Sequence, residues 1–275
     1  MERMTFLLFD AVLVVAMLAA VVYLIFFIRQ NSGLRHVARM LMMVSGVLQL
    51  LYIFARFSRL GSVPLTNPHE AVVFFACAAT WAYLTFRWRY KVKNFGAFVS
   101  VLVVLLLLLA ASFSTAFAPP PPILNSMWLP VHAGLSLAAY SFFLLAFCGG
   151  LMYLLQEREL KGKRFGYFFS RLPSLDALDQ LNSHCLAIGF VLLTMGIVSG
   201  SLWLWQAYGV HWRWGEKEVS SALIWLVYLV QLHQRFTVGW RGKRAAMMAV
   251  IGFAVVILTF MLVVTPSGGA GIHGN

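Results

Sequence analysis

Seven histidines and a cluster of indoles are the residues of this sequence best equipped for chemistry. His132 stands one turn after Trp128, and His273 sits in the short segment Gly271-Ile272-His273-Gly274. Between them in sequence lies a stretch dense in aromatic rings: Trp203, Trp205, Tyr208, Trp212 and Trp214. Imidazole nitrogen ligates iron, and indole faces pack on a porphyrin. Two imidazoles flanking a tryptophan-lined surface therefore suit a planar, amphipathic ligand that carries a metal. A plainer reading stands beside it. Trp and Tyr are enriched at any membrane interface, and a single histidine there serves as a polar cap.

The elements that must position these residues follow from composition. Of 275 residues, 61% are apolar and 11% charged, and the mean hydropathy is +0.83. A soluble domain is about 45–50% apolar and about 25% charged. A water-soluble core of this length cannot absorb so much apolar side chain, which excludes a cytosolic globular enzyme and, equally, disorder. The net charge of +12 lies in short runs between apolar segments and forms no continuous face, so nucleic acid is not an expected partner. The expected fold is all-α: a polytopic membrane protein of about eight transmembrane helices in the lipid bilayer, residues 1–275 forming a single integral membrane domain.

Crossing the hydrocarbon takes about 20 apolar residues. Segments at roughly 5–28, 39–57, 69–86, 95–117, 128–155, 183–205, 219–235 and 244–265 meet or approach that length. Four connections carry three, four, five and four basic residues, sixteen of the 21 Lys+Arg: Arg29 to Arg39, Arg87 to Lys93, Glu157 to Arg171 and Arg235 to Arg244. The positive-inside rule assigns them to the cytoplasm and both termini to the outer, periplasmic side. His69, His132, His211 and His273 then lie outside, while His36, His184 and His233 lie toward the cytoplasm. The connection from Glu157 to Asn182 is expected to hold an interfacial helix carrying Phe165, Tyr167, Phe168 and Phe169. The run Pro119-Pro120-Pro121-Pro122 is expected to be a stiff connector. The apolar start, running to Phe27, is too long for a signal h-region. Cys77, Cys148 and Cys185 show no C-x-x-C spacing and are expected to be small core residues. Acidic residues approach the spans only near their outer ends, at Asp10 and Glu70, which disfavours an ion-coupled transporter.

The stretch from Leu202 to Glu218 carries a resemblance. Its Trp203, Gly209, Trp212, Trp214, Lys217 and Glu218 match the pattern W-x-x-x-x-x-G-x-x-W-x-W-D-P-K-E. That pattern is the tryptophan-rich signature of the cytochrome c assembly membrane proteins, the WWD-domain haem-handling family. The flanks Gly196-Ile197-Val198-Ser199-Gly200 and Leu232-His233-Gln234-Arg235 resemble it too, as do Pro130-Val131-His132 and, more weakly, Asn67-Pro68-His69-Glu70. The chain is most similar to the system II branch, the CcsA/ResC type, including its short HemX-like members.

The resemblance implies cytochrome c-type biogenesis: binding of haem b, its transport across the bacterial inner (cytoplasmic) membrane, and its presentation outside for covalent attachment to apocytochrome c. It implies His132 and His273 as axial iron ligands, with haem held on an outer tryptophan-rich segment, 202–218, through Trp203, Trp205, Trp212 and Trp214. It implies a second, intramembrane haem site at His233, whose partner ligand comes from an associated subunit of the CcsB/ResB type, with His184 as a local candidate. No catalytic residue is assigned, and the resemblance leaves open whether the chain is an enzyme or one part of a cytochrome c haem lyase (synthetase) complex. Arg213, Lys217 and Arg56 are candidate partners for the haem propionates or, equally, interface anchors. Gly215 and Glu216 replace the Asp and Pro of the signature. That departure suits an alternative: a divergent HemX-like regulatory protein or non-catalytic membrane subunit that keeps the fold without haem ligation. A small-molecule permease unrelated to haem is a third class. His211, inside the segment, is read as a plain polar position.

Overall fold

The computed structural model describes residues 2–60, 67–90, 92, 94–114, 126–163, 166 and 169–264. They form eight α-helices: α1 Glu2–Arg29, α2 Ser32–Leu60, α3 Pro68–Arg89, α4 Phe95–Ala111, α5 Trp128–Lys161, α6 Leu175–Tyr208, α7 Glu216–Phe236 and α8 Lys243–Val264. No strand occurs among the described residues. Local chemistry marks the boundaries. Asn67 caps α3, its Oδ1 accepting from Glu70 N at 2.9 Å, and Pro68 takes the first helical position, where no N–H is needed. Ser174 caps α6 by accepting from Ala177 N. At the far end of α6, Gly209 adopts φ +71°, the left-handed conformation that closes a helix.

Six of these helices, α1, α2, α3, α5, α6 and α8, are long and apolar enough to cross a membrane. α7 is polar at both ends, from Glu216-Lys217-Glu218 to His233-Gln234-Arg235. α4 is apolar but has only 17 residues, and it ends at Ala111, short of the expected limit near 117. There Ser112 Oγ donates to Leu109 O at 2.7 Å, a local bond that competes with further helix. α5 and α6 have 34 residues each, about 51 Å at 1.5 Å per residue, and so overrun an apolar core of about 30 Å. These extensions take up much of the 157–182 connection. No separate interfacial helix appears there among the described residues, and Phe165, Tyr167 and Phe168 lie outside them. The proline run and His273 also lie outside the described residues.

The bundle is apolar on both its inner and outer surfaces. Val12, Ala16, Ala19 and Tyr23 of α1 are buried, while Leu7, Leu18 and Ile28 of the same helix are exposed. In water such a helix would aggregate; in lipid both faces are satisfied. Small buried residues, such as Ala16 and Ala19, let helix backbones approach closely. At the centre, Phe75 of α3, Tyr140 of α5 and Phe260 of α8 meet edge to face. Phe143 of α5 stacks on Tyr228 of α7 with ring centroids 3.4 Å apart. The three cysteines are free and buried.

Polar contacts define two ends. At one, Asn94 Nδ2 donates to Gln30 Oε1 and to Arg171 O, tying together the α1–α2, α3–α4 and α5–α6 connections. Nearby helix ends are joined by Arg235, whose guanidinium donates to both oxygens of Asp179 at 2.8 and 2.6 Å, while Gly242 N donates to the same carboxylate. The four basic connections therefore meet on one side, here termed the basic end. The opposite end holds the α1 start, the α2 end and the α5–α6 contact that carries His132.

Candidate functional site

His132 lies on the second turn of α5, facing α6 at Gly196 and Gly200. These glycines are one turn apart and open the same face of their helix. A Cβ at Gly200 would stand 2.6 Å from His132 Nδ1, so the imidazole occupies space that only a glycine leaves. His132 Nδ1 lies 2.7 Å from Gly196 O. A carbonyl can only accept, so Nδ1 carries the proton and Nε2 of the neutral ring keeps its lone pair. Ser199 Oγ donates to the same carbonyl at 2.9 Å. This is the arrangement of a metal-ligating histidine, whose second nitrogen is oriented by a backbone acceptor. Gly200→Ala is expected to destabilise the α5–α6 contact by about 1–3 kcal/mol through overpacking, measured as the unfolding free energy in detergent.

His132 lines a cavity of about 800 Å³ with Trp203, Tyr208, Arg213, Trp214 and Lys217. That volume is within the range of about 300–1,000 Å³ typical of cofactor and small-molecule sites. Ala71 of α3 and Thr259 of α8 complete its walls, so the cavity joins the two halves of the bundle. Arg213 lies over the Tyr208 ring, its guanidinium carbon 4.6 Å from the centroid. Trp214 is 84% exposed and meets Trp212 edge to face at 5.9 Å. The indole nitrogens of Trp203 and Trp212 are buried without a hydrogen-bond partner, which is costly unless something else accepts from them. One imidazole nitrogen, the rings of Trp203 and Trp214 and the cations of Arg213 and Lys217 on the lining fit a macrocycle bearing a metal and carboxylates. Haem has these features, and the residues present fit it.

The remaining expected residues are placed differently. Neither Trp205 nor Trp212 lines this cavity: Trp212 sits behind Trp214, and Trp205 is 57% exposed and stacks parallel to His211, 5.9 Å away. Arg56 is no candidate for propionates, because it is buried in an ion pair with Glu70, its Nε donating to Oε1 at 2.9 Å. Beside that pair, His69 is fully buried and held between Tyr52 Oη at 2.8 Å and Ala110 O at 2.9 Å. His233 is exposed in the last turn of α7. His184 is exposed near the same end, with Nδ1 donating to Gln180 O at 2.8 Å and its ring 5.0 Å from Tyr90. Their sequence neighbours Asn182, Gln231 and Gln234 line a cavity of about 20 Å³, room for one water and far too small for a macrocycle. Gly196, Ser199 and Gly200 seat His132, and side-chain chemistry alone does not single them out. Their signal was the four-residue spacing of the two glycines.

Gly215 is the N-cap of α7, with φ −85° and ψ 170°, and Glu218 stands at the third helical position over it. The aspartate expected there from the resemblance would therefore cap a helix, a role glycine fills at a loss of only a few tenths of a kcal/mol. Gly215→Asp is expected to change unfolding free energy by less than about 0.5 kcal/mol, because Glu218 must swing aside for the new carboxylate. A larger shift in a denaturant titration would show that position 215 does more than cap.

Comparison with known proteins agrees with this architecture. Residues 65–268 match the family described as Cytochrome C assembly protein. The Cytochrome c biogenesis protein CcsA of Chlamydomonas reinhardtii is 31% identical over 234 residues, covering 82% of this chain and 65% of that protein's length. CcsA of Porphyra purpurea is 29% identical over 270 residues, covering 84% of each. CcsA of Synechococcus sp. (strain CC9902) is 29% identical over 250 residues, covering 82% of each. Among solved structures, Cytochrome c Heme Lyase CcmF superposes with a TM-score of 0.67 at 16% identity, a likeness of fold. The chain spans 47% of that protein and is itself covered to 96%. An all-helical membrane bundle with these relatives across most of its length belongs to the cytochrome c assembly protein family, in its CcsA-type branch.

Proposed function

We propose that the protein binds haem b on its tryptophan-lined cavity and presents it for covalent attachment to apocytochrome c. The observation carrying this reading is His132: an imidazole with Nδ1–H held by Gly196 O, set in the wall of an indole-lined cavity of about 800 Å³. His132 and His273 act as the two axial ligands, and bis-histidine ligation leaves the iron no open position for oxygen. Trp203 and Trp214 pack on the macrocycle, and Trp212 supports Trp214 from behind, edge to face. Arg213 and Lys217 pair with the propionates. Bound haem supplies vinyl groups that react with the cysteine thiols of the apocytochrome. The chain's contribution is to bind, orient and exclude water. Trp205 extends the aromatic surface next to His211, outside the cavity.

In this reading residues 1–275 act as a single membrane domain of the inner (cytoplasmic) membrane, with the basic end in the cytoplasm and segment 202–218 facing outward. His233 belongs to a second haem site completed by a partner subunit of the CcsB/ResB type. His184 contributes less, because its Nδ1 and ring are already engaged by Gln180 and Tyr90. The test is the absorption spectrum of the purified protein, together with covalent haem staining of a reporter cytochrome c made with the partner subunit. A Soret band reduced by replacing His132 and His273 together, with loss of stained cytochrome, is the expected result. No Soret band in wild type, or one indifferent to both histidines, contradicts the reading.

A further inference from the structure

At the basic end, α1 to α4 enclose another cavity, of about 720 Å³. Its charged lining has one sign: Arg35, Arg39 and Arg87 stand on it beside His36, and among the described residues no acidic side chain lines it. Arg39 Nη2 donates to His36 Nδ1 at 2.7 Å, a neutral acceptor that leaves the guanidinium charge uncompensated. Two helices begin at its wall, α2 at Ser32 and α4 at Phe95, and two end there, α1 at Arg29 and α3 at Arg89, so the helix-end dipoles offset and the arginines set the sign of its potential.

Further in, the hydroxyls of Tyr23 and Tyr83 are 3.0 Å apart and buried. One proton lies in that bond, so the other remains to be donated. A Cβ at Gly96 would collide with the Tyr83 hydroxyl and the Tyr23 ring, so the recess depends on a glycine. Asn94 is 6% exposed, and its amide nitrogen is used on Gln30 and Arg171, while Oδ1 is buried with no donor. The site thus offers three guanidinium groups and a phenolic donor to an anion, and one buried acceptor to a hydroxyl. A phosphate ester carrying a hydroxylated group matches both. The position in the fold selects its source. Trp88, on the lining, is 87% exposed and Ile28 nearby is 55% exposed, which sets the mouth where apolar helix faces give way to headgroups.

We propose that this cavity binds the phosphate of an anionic glycerophospholipid, with a headgroup hydroxyl donating to Asn94. The site is separate from the His132 cavity and does not depend on haem binding. Anchoring a lipid there would tie α1, α2, α3 and α4 at the basic end. The test is native mass spectrometry of the full chain in detergent, titrated with phosphatidylglycerol, phosphatidylcholine and inorganic phosphate. Wild type is expected to retain phosphatidylglycerol over phosphatidylcholine, and millimolar inorganic phosphate to displace it. Arg35→Gln, at the exposed rim, is expected to weaken retention about fivefold, and Arg39→Gln with Arg87→Gln to remove the preference. Arg158→Gln, exposed outside the cavity lining, is expected to leave it intact. Equal retention of the two lipids by wild type, undiminished retention in the rim variant, a preference that survives Arg39→Gln with Arg87→Gln, or phosphate bound with no lipid retained would overturn the proposal.

Discussion

Replacing His132 by glycine is expected to lower the haem retained on purification by about tenfold or more, and added imidazole to restore it. The argument rests on geometry specific to this residue. Its Nδ1 proton is held by Gly196 O at 2.7 Å, which fixes the ring and leaves Nε2 as the available ligand. Glycine removes the ligand and leaves a space beside Gly196 and Gly200 that free imidazole can enter. The carbonyl of Gly196 still has Ser199 Oγ as a donor, so the helix pair should survive the substitution. Rescue by imidazole separates a missing ligand from a misfolded bundle, since a structural defect has no reason to respond to it. Haem content read from the pyridine haemochrome spectrum provides the measurement.

The second large effect concerns stability and a different pair of residues. Glu70→Ala is expected to lower unfolding free energy by about 3–5 kcal/mol, because it strands the guanidinium of Arg56 in a buried site. Arg56 and Glu70 are 5% and 2% exposed, so neither charge can turn to water without moving a helix. The pair joins α2 to α3 across the segment 61–66 and lies next to the Tyr52–His69–Ala110 chain of hydrogen bonds. Replacing both charges together, as Arg56→Met with Glu70→Leu, is expected to restore most of the loss, since no buried charge is then unmatched. Unfolding in mixed detergent and denaturant, followed by helical circular dichroism, measures both variants. Equal losses in the single and double variants would mean that shape, not charge pairing, holds this corner together.

Much of the architecture was legible because apolar runs and basic punctuation are dictated by the bilayer. All eight helices fall where the apolar segments are, and the four basic connections meet on one side. The limits were less legible where a polar residue changes role. α6 begins at Leu175 rather than near 183 because Ser174 caps it and Asp179 is matched by Arg235 from α7, a contact 56 residues away. Arg56 reads in sequence as an outer cation open to a ligand, yet Glu70, fourteen residues on, claims it. His132, Trp203 and Trp214, which share one cavity, were legible as candidates because their chemistry is in their side chains. The dock for His132 was not, because it is made of two missing side chains and a backbone carbonyl. Trp205 carries the same ring as Trp203 but lies two residues along the helix, about 200° around its axis, and so leaves the cavity for the surface.

The central claim is that the iron of bound haem is ligated by His132 and His273, and the spin state of the ferric haem tests it most directly. Low-temperature electron paramagnetic resonance of the wild-type protein should show a low-spin signal of the bis-imidazole kind. In His132→Gly and His273→Gly the haem that remains bound should be high spin, with imidazole restoring a low-spin signal. An unchanged low-spin signal in either variant would contradict the account.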